Sequence, residues 1–312
     1  MRIVFMGTPE FAVPSLESLV NSKYEVVMAV TQPDKPKGRG YRVCCPPVKQ
    51  YALSKGIPVF QPEKIGEPCA VRKLAETNPD LFVTCAFGQF LTSDVLSIPK
   101  HGTVNVHASL LPKYRGAAPI NWAVINGEKK TGITTMLTVL KMDAGDILLQ
   151  REVAIDDNIT AGQLHDKMSL LGAELLIETI QGIEKGTIEQ IPQNDSEVTF
   201  APRITSMTGK INWESSARQI HNLVRGTNPW PGAFSFFKGE RMRIWRTKII
   251  DETKTPAVKP GTILEISKEG FTVQTGKGLI LVSEIQCDNS KRLTTCQYVC
   301  GHCVNVGDYF GE

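Results

Sequence analysis

The 312-residue sequence contains no apolar run approaching the ~20 residues that a bilayer-spanning helix needs. This excludes a helical membrane protein and predicts no membrane partner. Its first twenty residues are broken by Arg2, Pro9, Glu10 and Pro14, so the continuous apolar stretch of a secretory signal is missing and a cytoplasmic protein is expected. There is no Walker loop, no internal repeat and no low-complexity tract. A strong overall charge is also missing, with 35 Lys and Arg against 32 Asp and Glu. With 41% hydrophobic residues, the chain is neither disordered nor collagenous, and its length suits two domains.

Eight cysteines are present, at 44, 45, 69, 85, 287, 296, 300 and 303. Diluted in a chain without an export signal, they read as reduced thiols rather than a disulfide framework. Cys296, Cys300, His302 and Cys303, with Cys287 nearby, offer soft metal ligands. Structural zinc sites pair ligands at two ends, whereas these crowd into eight residues, so packing thiols and no metal are expected. Cys85, in an apolar run, reads as an inert small hydrophobe. Charge is unevenly distributed: residues 152–197 carry two basic and ten acidic side chains, and residues 203–254 carry ten basic and four acidic. That change marks a boundary near residue 200.

Apolar runs at 2–6, 26–30, 81–85, 104–107, 133–140 and 147–153 alternate with helical periodicity at 70–77 and 118–126. Such alternation predicts an α/β, Rossmann-like, doubly wound and mostly parallel sheet. Thr160 and Gln163 form a capping box that opens a long helix with Leu164, Met168, Leu171, Leu175 and Ile180 on one face, closed by Lys185-Gly186. Residues 191–208 lose periodicity and read as a linker. After a helix over 216–225, capped by Ser216 and Gln219, five short runs at 233–237, 242–250, 261–266, 271–275 and 279–285 predict a small OB-like β-barrel. The expected domains are thus 1–190 and 209–312. Trp213, Trp230 and Trp245 fit aromatic core positions of that barrel, with base stacking as the alternative.

Gly7-Thr8-Pro9-Glu10 sits where a dinucleotide fingerprint belongs but lacks G-x-G-x-x-G, so Gly7 reads as a plain strand-to-helix turn and a nicotinamide or flavin enzyme is disfavoured. More informative is Asn105-Val106-His107 at the end of a predicted strand. Residues two apart face the same way, so an amide donor and an imidazole project together at the sheet edge where open α/β folds bind ligands. The pair suits acyl transfer: the amide donates to a developing oxyanion, and the imidazole exchanges protons near neutrality. Taken alone, a histidine at a strand end is more often structural. Asp143, in the Gly-containing turn after the next strand, reaches the same edge as an orienting carboxylate, with Asp146 as rival. The segment 31–49 is too rich in Pro and Gly for a helix and carries five basic residues against one acidic. Either it is a solvated mobile loop, or Lys35, Lys37, Arg39 and Arg42 meet a phosphate backbone.

These residues closely resemble the methionyl-tRNA formyltransferases. The likeness runs through residues 4–12, 31–40, 59–62, 105–120 and 143–146, then through Asn228-Pro229-Trp230-Pro231-Gly232 and residues 260–264. It implies transfer of the formyl group of 10-formyltetrahydrofolate to the α-amine of methionyl initiator tRNA, for translation initiation. Direct amine attack would give a tetrahedral intermediate, since no activated Ser or Cys nucleophile is recognisable. It further implies Asn105, His107 and Asp143 as catalytic residues. Ser109, Leu110, Leu111 and Pro112, with Phe87, Gln89 and Leu91 opposite, would form the folate walls, and the Arg39 loop would meet the acceptor stem of the tRNA. A monomer without a metal is expected. Two rivals remain: a sibling enzyme that formylates a small amine, such as a sugar nucleotide or glycinamide ribonucleotide, and a nonenzymatic RNA- or folate-binding protein. Departures from the family pattern are Leu91-Thr92 where Leu-Pro is frequent, and a tail from Cys296 to Glu312 that is rich in cysteine and poor in Lys and Arg.

Overall fold

A computed structural model of the chain describes residues 1–37 and 42–311. They form two compact units, one of Met1–Gly116, Thr131–Val153 and His165–Ala201, the other of Ala117–Lys130, Ala154–Leu164 and Pro202–Glu312. The second unit therefore gathers two segments from before residue 190. In chain order the elements are β1 (Arg2–Gly7), α1 (Val13–Val20), β2 (Glu25–Val30), β3 (Lys35–Lys37), β4 (Arg42–Cys44), α2 (Pro47–Ser54), β5 (Val59–Phe60) and α3 (Pro68–Ala75). They continue with β6 (Leu81–Cys85), α4 (Ser93–Leu96), β7 (Thr103–His107), β8 (Arg115–Gly116), α5 (Pro119–Ile125), β9 (Lys130–Leu137), β10 (Ile147–Ala154) and α6 (Ala161–Lys185). The last are β11 (Phe200–Ala201), α7 (Ala217–Gly226), β12 (Ala233–Phe237), β13 (Glu240–Asp251), β14 (Ile263–Ile266), β15 (Phe271–Gln274), β16 (Leu279–Cys287), β17 (Leu293–Thr294) and α8 (Thr295–Val299).

The first unit is built on a seven-stranded sheet of order β10-β9-β7-β6-β1-β2-β5. Strands from β5 to β7 pair in parallel, and β9 joins β7 antiparallel. All five residues of β6 are buried, the pattern of a central parallel strand covered on both faces. Gly7 ends β1 for lack of space rather than for backbone freedom: a Cβ there would lie 2.8 Å from the Phe5 ring and 2.9 Å from the Cys85 carbonyl oxygen. Hydrogen bonds then tie the ends of three strands together. The Thr8 hydroxyl donates to the Phe87 carbonyl at 3.0 Å and accepts the Gln32 amide N–H at 3.1 Å, while Gln32 Nε2 donates to the same carbonyl at 3.3 Å.

In the second unit the antiparallel order is β12-β13-β16-β15-β14, with β17 on β16. The two edge strands are bridged by the chain's last residues. Phe310 pairs with Phe237 at the end of β12, Tyr309 pairs with Thr262 beside β14, and the Phe310 N–H donates to the Gly261 carbonyl at 2.8 Å. Phe310 is buried, stacked on Trp213 and tilted against Phe237, with ring centroids 5.3 and 5.1 Å away. The tail thereby closes the sheet into the expected OB-like barrel. Helix α7 carries the expected capping box of Ser216 and Gln219.

Three expectations are corrected. The 31–49 segment, expected to be too rich in Pro and Gly for a helix, pairs as strands β3 and β4 and ends in the first turn of α2, whose first residue, Pro47, occupies a position where proline lacks only an N–H that a helix start leaves free. Trp213 is a core residue, but Trp230 is 60% exposed and Trp245 is only partly buried. Cys296, Cys300 and Cys303 are exposed rather than packed. Cys85 is fully buried, as expected, and burial pushes its thiol up to about 12.

Candidate active site

Asn105 and His107 lie on β7, two residues apart and next to β6 on one side and β9 on the other. Asn105 pairs in register with Thr84, whose hydroxyl donates to Asn105 Oδ1 at 2.8 Å. That bond fixes the amide so that its oxygen is occupied and its Nδ2 donors are available. His107 is 6% exposed, and its Nε2 lies 3.0 Å from the Tyr114 carbonyl oxygen. A carbonyl only accepts, so Nε2 bears the proton and Nδ1 is the nitrogen left for chemistry.

Asp143 comes from the turn between β9 and β10. One of its carboxylate oxygens stands 3.7 Å from His107 Nδ1 and accepts the Gly116 N–H at 2.8 Å. The imidazole–carboxylate separation exceeds a hydrogen bond and marks a charge pair that forms when Nδ1 is protonated. Asp143 holds the left-handed conformation, φ 49°, which Asp tolerates better than most residues. Gly145 gives the turn room, since a Cβ there would overlap the Leu137 carbonyl oxygen. Asp146, the rival carboxylate, contributes its backbone carbonyl to the Leu137 N–H. The structure thus brings His107 and Asp143 together and places Asn105 on the same strand.

The proposed folate walls are packed surfaces. Ser109 is buried, with its hydroxyl donating to the Lys113 carbonyl at 2.6 Å, and Leu111 packs with Met136 and Ile147. Leu110 and Pro112, either side of it, are partly buried. Phe87 and Leu91 belong to a separate cluster with Val4, Met6 and Phe82. Gln89 is committed to the fold, accepting the Ile65 N–H at 2.8 Å and donating to the Pro62 carbonyl at 3.1 Å. Of the basic loop residues, Lys35 is exposed on β3, Lys37 and Arg42 are partners in the backbone register of β3 and β4, and Arg39 lies outside the described residues. Lys49 is internally neutralised: its Nζ lies 2.7 Å from Asp34, whose carboxyl the Lys49 and Gln61 hydrogen bonds hold below the usual carboxylate range. Sequence reasoning missed Thr84, Tyr114, Arg115, Gly116 and Gln193. Tyr114, Arg115 and Gly116 fall within the 105–120 stretch of family likeness without an assigned role, whereas Thr84 and Gln193 meet the site through a strand pairing and a turn packing that leave no local signal. Among the described residues no cluster of three metal-ligating side chains occurs.

The formyl transferase family matches residues 1–180, and its C-terminal domain matches residues 203–303. A methionyl-tRNA formyltransferase of Acetivibrio thermocellus is 55% identical over 312 residues, covering all of both chains. One from Clostridioides difficile is 49% identical over 311 residues and again covers both chains in full. The chain belongs to the methionyl-tRNA formyltransferase family. Membership makes it a formyl-transferring enzyme. Solved structures agree on the fold. A sugar 3N-formyl transferase, crystallised in the presence of dTDP and 5-N-formyl-THF, aligns with TM-score 0.67 at 21% identity, over 93% of this chain and 99% of that one. An N-formyltransferase from Helicobacter canadensis aligns with TM-score 0.66 at 22% identity, over 90% and 98%. That likeness is one of fold.

Proposed function

We propose that this protein transfers the formyl group of 10-formyltetrahydrofolate to the α-amino group of methionyl initiator tRNA, acting as a monomer in the cytoplasm during translation initiation. Residues 1–190 would carry the folate site and the chemistry, residues 191–208 would link, and residues 209–312 would bind tRNA together with Lys35, Lys37, Arg39 and Arg42. The observation that carries the chemical reading is the meeting of His107 Nδ1 and the Asp143 carboxylate at the edge of one sheet. Full-length identity of 55% to a methionyl-tRNA formyltransferase supports the acceptor.

The residues fit a formyl-folate co-substrate. The Asn105 amide presents free donors, the apolar stretch at Leu111 borders β7, and no protein nucleophile is required. In the proposed step the neutral amine attacks the formyl carbon, and Asn105 Nδ2 donates to the oxygen that gains charge. The amine's proton passes to His107 Nδ1, directly or through water, where the Asp143 carboxylate stabilises it; as the tetrahedral adduct collapses, the bond between the formyl carbon and the folate N10 breaks, and that nitrogen takes up the proton from His107 and departs as tetrahydrofolate. Tyr114 keeps the other ring nitrogen protonated, so the accepting tautomer is set before the acceptor arrives.

The decisive experiment supplies purified protein with 10-formyltetrahydrofolate and, in parallel, methionyl initiator tRNA, an amino-sugar nucleotide and glycinamide ribonucleotide. Formyl transfer to the tRNA alone is expected, and Asp143→Asn and His107→Ala should each lower kcat by about a hundredfold or more. Transfer to a small amine instead would move the protein to a sibling activity. Folate binding without turnover on any amine would make it a binding protein.

A further inference from the structure

The 191–208 segment, which the sequence gives no reason to connect with chemistry, sends one side chain into the turn that carries Asp143. Gln193 Nε2 donates to the Asp143 carbonyl at 2.9 Å and to the Gly145 carbonyl at 2.7 Å. Its Oε1 accepts two bonds from Arg115, from Nε at 3.0 Å and Nη2 at 2.8 Å. A primary amide can be turned end for end. Here it cannot, because a guanidinium offers only donors and the two turn carbonyls offer only acceptors. Arg115 in turn is among the largest fully buried side chains, 2% exposed, and the carboxylate it contacts among the described residues is Asp195 at 3.3 Å, on a side chain that is 71% exposed. A buried guanidinium is costly unless its geometry is well satisfied, and this one is spent largely on orienting a neutral amide.

The backbone repeats the connection. Arg115 is followed by Gly116, whose N–H binds the Asp143 carboxylate, and Arg115 precedes it on the two-residue strand that pairs with β11. The carboxylate is therefore held from one side by Gly116 and its backbone from the other by Gln193, and both holds trace to Arg115 and its neighbour. Asp143 needs such restraint, since its left-handed backbone is a conformation that persists only when the surroundings over-determine it.

We infer that Gln193, oriented by Arg115, is a positioning residue that fixes the turn placing the Asp143 carboxylate opposite His107 Nδ1. The inference rests on the reading of Asp143 as part of the proton-handling pair. Displacing a reacting group by about an ångström lowers rates up to roughly a hundredfold. Gln193→Ala should therefore lower kcat roughly ten- to hundredfold while leaving KM for folate and for tRNA within about twofold. Gln193→Glu separates positioning from packing. It keeps the shape and pairs with Arg115, yet turns acceptor oxygens toward two carbonyls. If Gln193 served only to fill space and satisfy Arg115, Gln193→Glu would keep wild-type kcat; the positioning role requires it to be as slow as Gln193→Ala.

Asp143→Asn and the double variant Asp143→Asn/Gln193→Ala complete the test. Residues acting through one another are non-additive, so the double variant should be no slower than Asp143→Asn alone. Wild-type kcat in Asp143→Asn would overturn the catalytic reading itself. An impaired Asp143→Asn beside a Gln193→Glu with full kcat would overturn the positioning role alone, as would fully multiplicative losses in the double variant.

Discussion

At the residue scale, the site depends on fixing which way ambiguous groups point. Tyr114 decides the tautomer of His107, and Thr84 decides the orientation of the Asn105 amide. Removing an oxyanion donor typically costs about 2.7–4 kcal/mol in the transition state. Asn105→Ala should accordingly lower kcat by about a hundredfold or more, with KM for tRNA near normal; steady-state kinetics that returned full kcat would remove Asn105 from the mechanism. Thr84→Val, which keeps the shape but deletes the hydroxyl, should give a smaller loss, because the amide is present but no longer held. Its effect should vanish in the Asn105→Ala background.

At the element scale, the turn between β9 and β10 is the least tolerant piece of the first unit. Gly145 sits where a Cβ would overlap the Leu137 carbonyl oxygen, so Gly145→Ala must displace the turn and Asp143 with it. The expected outcome is a loss in kcat of about a hundredfold with the global fold retained, read by kinetics beside circular dichroism. In the second unit, α7 provides a pH-dependent element. His221 is 5% exposed, with Nε2 2.7 Å from the Asp157 carbonyl and Nδ1 2.9 Å from the Thr247 hydroxyl. The carbonyl must accept, so Nε2 is protonated, Nδ1 accepts the hydroxyl proton, and the ring is neutral. Burial pushes its pKa below the ordinary histidine value, outweighing the Asp157 hydrogen bond. The unfolded chain then binds a proton near pH 6.5 that the folded chain refuses, so stability contributed by this group is present at higher pH and is lost as pH falls below about 6.5. Denaturant midpoints measured from about pH 7.5 down to about pH 5.5 should decline less steeply in His221→Gln than in the wild type.

At the scale of the whole molecule, charge is concentrated rather than abundant. Residues 203–254 and the β3/β4 segment are basic, while residues 152–197 are acidic. A polyanionic acceptor would release counterions on binding, so formylation at subsaturating tRNA should fall steeply with salt. Arg39→Ala should weaken tRNA use and reduce the slope of log KM against log salt by about one, whereas Lys49, already paired with Asp34, should leave the slope unchanged when replaced. An unaltered slope in Arg39→Ala would identify the segment as merely solvated.

The amino-acid pattern by itself determined the element types. Parallel strands such as β6 announce themselves by being apolar at all but one position, helices α6 and α7 by capping boxes, and the short strands of the second unit by turn residues between them, because each of these signals is local. It also placed Asn105 and His107 on one face, since strand geometry alone does that. Only the tertiary structure decided that Asp143 rather than Asp146 faces the imidazole, that the last residues close the barrel, that Trp230 stands in solvent, and that Gln193, in a segment without periodicity, restrains the Asp143 turn. Those facts depend on contacts between residues far apart in the chain. A hydrogen-bond partner supplied from dozens of residues away leaves no periodicity, spacing or propensity for a sequence to display.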